Sequence, residues 1–409
     1  MILVEKHNIN KNHTFFKECD VLCFKSKNLY NQALYNVRQF YFENKQYLPF
    51  HKNYHITKIQ ESYSELPTKV SCQIIKLVDQ NFKSFFALLK LEGHIAKIPK
   101  YLDKQGRYVV KFPKQSLERR EFKKSGKIKL SQTKILINTN IKNYQNLKEV
   151  RIIPKIDYYV IEVVYEQKEK LNNNTTIASI DVGLNNLATV TFDNKNLNPF
   201  IINGRPLKSM NQYYNKKKAE YQSKLNHYIN KKGEKVQCGK SNKIRILTNK
   251  RNNKINNYLH KASRLLVNQL VSNKVGVLII GKNTGMKQDS NMGHVGNQNF
   301  VNVPIFKFLD VVAYKARLEG IKVIWQEESY TSKASFLNLD NIPIYGDDKT
   351  KHFSGYRFKR GLYKIRGVKK FINADVNGSY NILRKAFPNA FANGTEGFGV
   401  IPIVMNVML

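Results

Sequence analysis

Two aspartates stand out: Asp181, in Ser-Ile-Asp-Val-Gly-Leu (179–184), and Asp375, in Ala-Asp-Val-Asn-Gly-Ser (374–379). The chain that holds them has 69 Lys+Arg against only 30 Asp+Glu. Asp181 closes a run of strand-forming residues, and Asp375 opens a helical one. Carboxylates kept at a strand end and a helix start, in so basic a chain, suit a divalent metal site acting on nucleic acid. Such ions take hard oxygen ligands, and two carboxylates with substrate phosphate can hold them. Taken singly, each also reads as an ordinary strand-end turn or helix cap.

The elements that position these residues sit in a chain of 409 residues, long enough for two or three domains with sizeable cores. A hydrophobic fraction of 42%, with 23 Phe and 23 Tyr, marks a globular protein and not a disordered tail. The formal net charge of +39 points to a polyanionic partner. A Lys-, Asn- and Ile-rich composition reflects AT-rich coding, but such codons also encode Asp and Glu, so coding bias does not explain the shortage of acid. No basic amphipathic anchor and no apolar run of about 18–20 residues stands out, so no membrane partner is expected. Met1-Ile-Leu-Val-Glu-Lys-His lacks signal-peptide layout, and four scattered cysteines suit a reducing compartment. A cytoplasmic, bacterial protein acting at the nucleoid is the expectation.

Residues 1–9 alternate as a strand. From Phe15 to Lys90 the period turns helical: Leu22, Leu29, Ala33 and Val37 recur at fours and sevens, and Ile74, Leu77, Val78 and Phe82 at threes and fours, with Pro49 and Pro67 as breaks. From Ile95 to Gln167 short strands follow, among them Tyr108–Phe112 and Tyr158–Val164, with Gly106 and Gly126 at turns. The polar stretch from Lys168 to Thr175 reads as a boundary. Beyond it come three strands (Thr176–Asp181, Leu187–Phe192, Pro199–Asn203) and a very basic helical arm at 207–272, broken near Lys232-Gly233. A buried strand Val275–Ile280, a helix Ile305–Leu318, a strand Val323–Gln326 and a helix Val376–Ala386 complete the order. Three hairpin strands followed by alternating helix and strand match the ribonuclease H-like order, which carries acids near the ends of central strands.

With the two aspartates on that order, the chain resembles the TnpB family: transposon-encoded, RNA-guided DNA nucleases with a RuvC-like domain, related to type V CRISPR effectors. The resemblance rests on Met1–His7, Ser26–Tyr35, Ile180–Ala188, Gly281-Lys-Asn-Thr-Gly-Met-Lys, Gln298-Asn-Phe, Glu327-Glu-Ser-Tyr-Thr-Ser-Lys-Ala-Ser and Ile372–Ile382. It implies an α/β protein. A ribonuclease H-like (RuvC-type) nuclease domain at 174–409 would follow a β-rich wedge (1–12 and 95–170) that carries a helical recognition insertion (13–94). It implies a metal-dependent endonuclease that uses two Mg²⁺ ions, a guide RNA from the transposon end, and double-stranded target DNA bearing a short flanking motif.

Carried over residue by residue, the resemblance makes Asp181 the first metal ligand and Asp375 the last. The middle ligand departs from the pattern, because Gly281 stands where most of the family has glutamate. Glu327 and Glu328 end the next strand, whose neighbour in this order is only about 4.8 Å away. A branch of the family resembles this arrangement, with a relocated glutamate. Strand alternation lets only one of the pair face the site. Glu328, nearer the terminus, is the expected ligand, and Glu327 the fallback. Family members often carry two Cys-x-x-Cys pairs before the last aspartate. Residues 331–371 hold no cysteine and one histidine, His352, so no zinc is expected there and the segment is expected to be a zinc-free target-loading insertion. Cys19 and Cys23 are expected as core thiols, and Tyr30 and Tyr35 as core residues. The Lys/Arg/Tyr mix of the arm suits phosphate neutralisation with base stacking. Gly281 keeps a nuclease-dead, RNA-guided DNA-binding repressor as the alternative. A strand transferase is disfavoured, since no Tyr with His-hydrophobic-His pairing is present.

Overall fold

A computed structural model describes residues 1–91, 93, 95–225, 227–229, 235–237, 241–282, 303–346, 352–359, 361–367 and 371–408. The chain divides into two compact units, Met1–Lys168 and Glu169–Leu409.

In the first unit, β1 (Ile2–Ile9) precedes four helices: α1 (Phe16–Asn44), α2 (Phe50–Lys58), α3 (Glu61–Ser64) and α4 (Thr68–Leu89). Pro49 and Pro67 each sit at the start of a helix, where a missing N–H costs nothing. Then come β2 (Val110–Pro113), α5 (Arg119–Ser125), β3 (Ile128–Lys129), β4 (Leu136–Ile137), β5 (Leu147–Pro154) and β6 (Tyr159–Glu166). The main sheet, β1-β6-β5-β2, is antiparallel throughout. Its apolar face and the buried stripes of α1 and α4 share one core, in which Cys19, Cys23 and Tyr30 are buried. Desolvation raises the thiol pKa of both cysteines. Tyr35 departs from expectation and is half exposed. It lies one position from Leu34, on the solvent side of the α1 stripe.

The second unit holds β7 (Thr176–Asp181), β8 (Asn186–Phe192), β9 (Phe200–Asn203), α6 (Arg205–Ser223), β10 (His227–Ile229), β11 (Lys235–Gln237), α7 (Asn242–Ser272) and β12 (Val275–Lys282). It continues with α8 (Ile305–Leu318), β13 (Lys322–Glu327), β14 (Gly355–Lys359), β15 (Leu362–Ile365), β16 (Phe371–Asn373), α9 (Ala374–Ala386) and β17 (Ile403–Met405). The arm is thus two helices joined through a short antiparallel ribbon, β10–β11, which the helical pattern did not suggest. The break at Lys232-Gly233 and the Gln298-Asn-Phe motif lie outside the described residues, as does Cys238.

The large sheet runs β13-β12-β7-β8-β9-β17. β7, β8 and β9 are antiparallel, while β12 runs parallel to both β7 and β13. This mixed α/β order has the three hairpin strands and two following parallel strands of the sequence pattern. The edge strand β17, parallel to β9, was not anticipated. It lies in an almost continuously apolar run, Val400 to Leu409, with no alternation of apolar and polar residues, and Ile403 and Val404 are exposed, so no periodicity marks it. Both faces of the centre are covered. Ala178, Ile180, Leu278 and Ile280 pack with residues of α7 and α8, whereas Ile279 packs with Val376, Tyr380 and Ile382 of α9. Strand alternation therefore puts Ser179, Asp181, Ile279 and Gly281 on the α9 face.

Candidate metal centre and comparisons

Asp181 is the last residue of β7 and Asp375 lies in the first turn of α9, a strand end and a helix start as the hydrophobic pattern suggested. Asn373 caps α9 by accepting from the backbone N–H of Asp375 (3.0 Å) and Val376 (3.1 Å). The Asp375 carboxylate is held from two sides. Asn186 Nδ2, at the start of β8, donates to its Oδ2 at 2.7 Å, and Arg357 Nη2, on β14, donates to its Oδ1 at 3.1 Å. Arg357 and Asn186 had no place in the sequence reading. Seven Lys and Arg stand between His352 and Ala374, and nothing in the sequence told which of them turns inward.

Below the carboxylates, three buried hydroxyls lock α9 onto the sheet. Ser179 Oγ donates to the carbonyl of Ser379 (2.7 Å), and it also lies 2.8 Å from Thr191 Oγ1. Ser379 Oγ is 3.0 Å from Thr191 Oγ1. All three side chains are fully buried or nearly so, and their mutual hydrogen bonds remove the desolvation cost. Gly378, one position earlier, leaves room for Asp181: a Cβ there would stand 2.8 Å from Asp181 Oδ2.

Gly281 does the same for Glu328. A Cβ at Gly281 would meet Glu328 Oε2 and Ile382 Cδ1, each at 2.7 Å. The carboxylate of Glu328 therefore fills the space a side chain at 281 would enter. Register explains it: Gly281 pairs with Gln326, so residue 328, two positions on, returns to the same face. Glu327 goes elsewhere. Its carboxylate pairs with Lys385 on α9 and accepts from the Ser329 backbone N–H at 2.6 Å. Lys385 also donates to the carbonyls of Ser329 and Pro343.

The electrostatics separate the two glutamates. Burial alone would raise the Glu327 carboxyl, but Lys385 and Ser329 override it and hold it below the ordinary value. Burial, with a smaller push from Glu327, lifts Glu328 to about 7, and its Oε2 is a buried acceptor without a donor. Asp181 is pushed well up, first by burial and then by the charges of Glu328 and Asp375; Arg357 and the Val182 N–H oppose this. Part of Asp181 remains open to solvent, so the neighbouring carboxylates matter as well as desolvation.

Among the described residues no three His, Cys, Asp or Glu side chains converge as a ready-made metal cage. The donor set nonetheless fits a hard divalent ion: all-oxygen, over-charged for its surroundings, and with one carboxylate oxygen unpartnered. The concavity of about 540 Å³ lined by Thr176, Asp193, Phe391 and Phe398 contains none of these carboxylates. They lie instead around the carboxyl ends of β7 and β13 and the start of α9.

Residues 159–287 match the family described as OrfB_IS605, probable transposase, and residues 306–382 match the Cas12f1-like TNB domain. The chain is related to the TnpB and Cas12f proteins. A CRISPR-associated endodeoxyribonuclease Cas12f2 from Micrarchaeota archaeon (strain CG1_02_47_40) is 28% identical over 276 residues, covering 65% of this chain and 47% of that protein. The chain thus spans about half the length of the curated relative it matches. Among solved structures, the cryo-EM structure of a Cas12f1–sgRNA–target DNA complex superposes with a TM-score of 0.51. Sequence identity there is 16%, over 90% of this chain and 82% of that one, a likeness of fold alone. A CRISPR–Cas12f ternary complex superposes more loosely, with a TM-score of 0.37 at 15% identity over 90% of this chain and 80% of that one. Among the described residues no helix is long and apolar enough to cross a membrane.

Proposed function

We propose that this chain is an RNA-guided, Mg²⁺-dependent DNA endonuclease associated with a transposable element. In this reading residues 174–409 form a ribonuclease H-like (RuvC-type) nuclease domain, with the arm at 207–272 and a target-loading insertion at 331–371. Residues 1–12 and 95–170 form a wedge, carrying the helical insertion 13–94, that binds guide RNA and the flanking DNA motif. The observation that carries the proposal is the unpartnered, charge-strained Glu328 carboxylate standing in the side-chain space of Gly281, on the same sheet face as Asp181.

Asp181, Glu328 and Asp375 would hold two Mg²⁺ ions. When bound, the ions supply activation of a water and charge stabilisation of the leaving oxygen in phosphodiester hydrolysis. The residues of the chain do the rest. Asn186 orients the Asp375 carboxylate, and the Ser179–Thr191–Ser379 contacts set the strand end against the helix start. Lys385 keeps Glu327 out of the site. Arg357, half exposed beside Asp375, stands where a substrate phosphate would meet it. Sequence choice would rest with guide–target pairing.

The test is to copurify the protein with RNA from its native flank and to challenge it with a randomised plasmid library, with Mg²⁺ or EDTA. Asp181→Ala and Asp375→Ala should abolish cutting while leaving RNA and target binding intact. Glu328→Gln should reduce cutting by orders of magnitude and Glu327→Gln far less. Target binding without cutting by the parent protein would establish the nuclease-dead repressor instead. Parallel loss of binding in the aspartate variants would make those residues structural.

A further inference from the structure

Glu328 reaches its place from a turn that is itself held in an unusual conformation. Two residues beyond it, Tyr330 has a φ of +65°, the left-handed region that a bulky side chain rarely adopts. Strain of that kind persists only where the surroundings fix it. The fixing contacts lie on both sides of Tyr330. The Glu328 carbonyl accepts from Thr331 twice, from Oγ1 at 2.8 Å and from the backbone N–H at 3.3 Å. The Tyr330 carbonyl accepts from the backbone N–H groups of Lys333 (2.9 Å) and Ala334 (3.0 Å).

α9 closes on this turn with two asparagines one helical turn apart. Asn381 Nδ2 donates to the carbonyls of Thr331 (2.9 Å) and Ala334 (2.7 Å), and its Oδ1 accepts from Arg384 Nη1 at 3.0 Å. Asn377 Nδ2 donates to the Ala334 carbonyl at 2.8 Å, and its Oδ1 accepts from the Phe336 N–H at 2.9 Å. Both asparagines are fully buried, and so are the Thr331 and Ala334 they hold. Asparagine is a poor residue for a helix interior, and its amide is costly to bury without partners. Two of them here, each with its amide N–H₂ on the carbonyls of one turn, do what apolar side chains could not: they hold the backbone of that turn.

A chain of contacts thus runs from α9, through Asn381 and Thr331, to the backbone of Glu328, whose carboxylate stands in the side-chain space of Gly281. The same helix carries Asp375 in its first turn, and Ser379 ties it to β7, which ends at Asp181. One helix is therefore the common frame for all three carboxylates. Resting on the metal centre of the nuclease reading above, we propose that Thr331 and Asn381 are positioning residues: they fix the backbone of Glu328 relative to α9 and so hold its carboxylate beside Asp181 and Asp375. Both act through Glu328. Asn377 ties the far end of the turn to the helix.

The test is a Mn²⁺ titration of the full-length, nucleic-acid-free protein, followed by electron paramagnetic resonance. Mn²⁺ shares the preference of Mg²⁺ for oxygen ligands. The Asp181→Ala protein identifies the binding that belongs to the site. Thr331→Val removes one hydroxyl with little change of shape, and Thr331→Ser keeps it. Losing a group that holds a metal ligand costs about 10- to 100-fold in affinity. Thr331 grips the backbone of the ligand and not its carboxylate, so Thr331→Val should weaken the Asp181-dependent site by about 10-fold, the low end of that range. Asn381→Ala should do the same, and Thr331→Ser should bind as the parent does. A general loosening of the fold would weaken binding whatever stands at 328, whereas positioning acts only through that carboxylate. In a Glu328→Gln protein, Thr331→Val or Asn381→Ala should therefore shift Mn²⁺ affinity by less than about twofold. Full additive losses in that background, or parental affinity in the Thr331→Val protein, would overturn the proposal. A parent with no Asp181-dependent Mn²⁺ site would overturn it together with the metal centre. Guided cleavage is scored separately: a parent that binds Mn²⁺ there and never cuts defeats the nuclease reading and leaves the positioning standing.

Discussion

Glu328→Gln should make the metal-free protein more stable at pH 8, not less. In the folded protein this carboxyl is lifted from its ordinary 4.5 to about 7, with no donor on Oε2. A folded pKa above the unfolded one contributes stability that is full below about pH 4.5 and is lost as pH rises through 7. At about 1.36 kcal/mol per pH unit, the gap caps the loss at about 3 kcal/mol, and residual solvent access lowers it to about 1–3 kcal/mol. Glutamine keeps the shape but not the charge, so at pH 8 the variant should melt roughly 2–10 °C higher in EDTA. Near pH 4.5 the two proteins should melt together. Mg²⁺ should reverse the order at pH 8, because a ligand that binds only the folded state stabilises the parent. The chain's only tryptophan, Trp325, is on β13 three residues from Glu328 and reports unfolding of this unit by fluorescence. A variant less stable than the parent at pH 8 in EDTA, or a parent indifferent to Mg²⁺, would refute the reasoning.

Moving the carboxylate back should work in part. Gly281 has no positive φ, and the two atoms nearest its Cβ position are side-chain ends, Glu328 Oε2 and Ile382 Cδ1, with the Ile180 carbonyl oxygen farther off at 3.3 Å, so Gly281→Glu with Glu328→Ala should regain measurable cleavage over Glu328→Ala alone; a folded double variant with no gain would show that position 281 cannot serve. Ser379→Ala should lower stability by about 1–3 kcal/mol, since Ser179 and Thr191 each lose a buried partner, and an unchanged melting temperature would show that the hydroxyls do not hold α9. Affinity for a non-cognate duplex should fall by about 10³–10⁵ between roughly 50 and 200 mM salt if about 6–10 phosphates are contacted; little change would remove the basic surface from the account.

Much of this protein is legible along the chain because local physics dictates it. The periodic stripe of α1, the apolar run of β12 and the prolines that start α2 and α4 are short-range signals. Asp181 and Asp375 were recognisable because each sits at a boundary where hydrophobic pattern changes. Composition alone pointed to a polyanion. The third carboxylate was narrower. Gly281 showed that a side chain was missing, and alternation favoured Glu328, but both rested on a strand pairing that spans 47 residues. Only the folded register, Gly281 beside Gln326, carries Glu328 into the empty space and lets Lys385 draw Glu327 away. Arg357, Asn186 and the Ser179–Thr191–Ser379 contacts were invisible for the same reason: hydrogen-bond partners separated by 12 to 200 residues leave no local trace. The aromatic face of β14-β15-β16 also depended on the fold. Tyr356, Phe358 and Phe371 read as any core residues would, and only the pairing of three short strands turns them to solvent together.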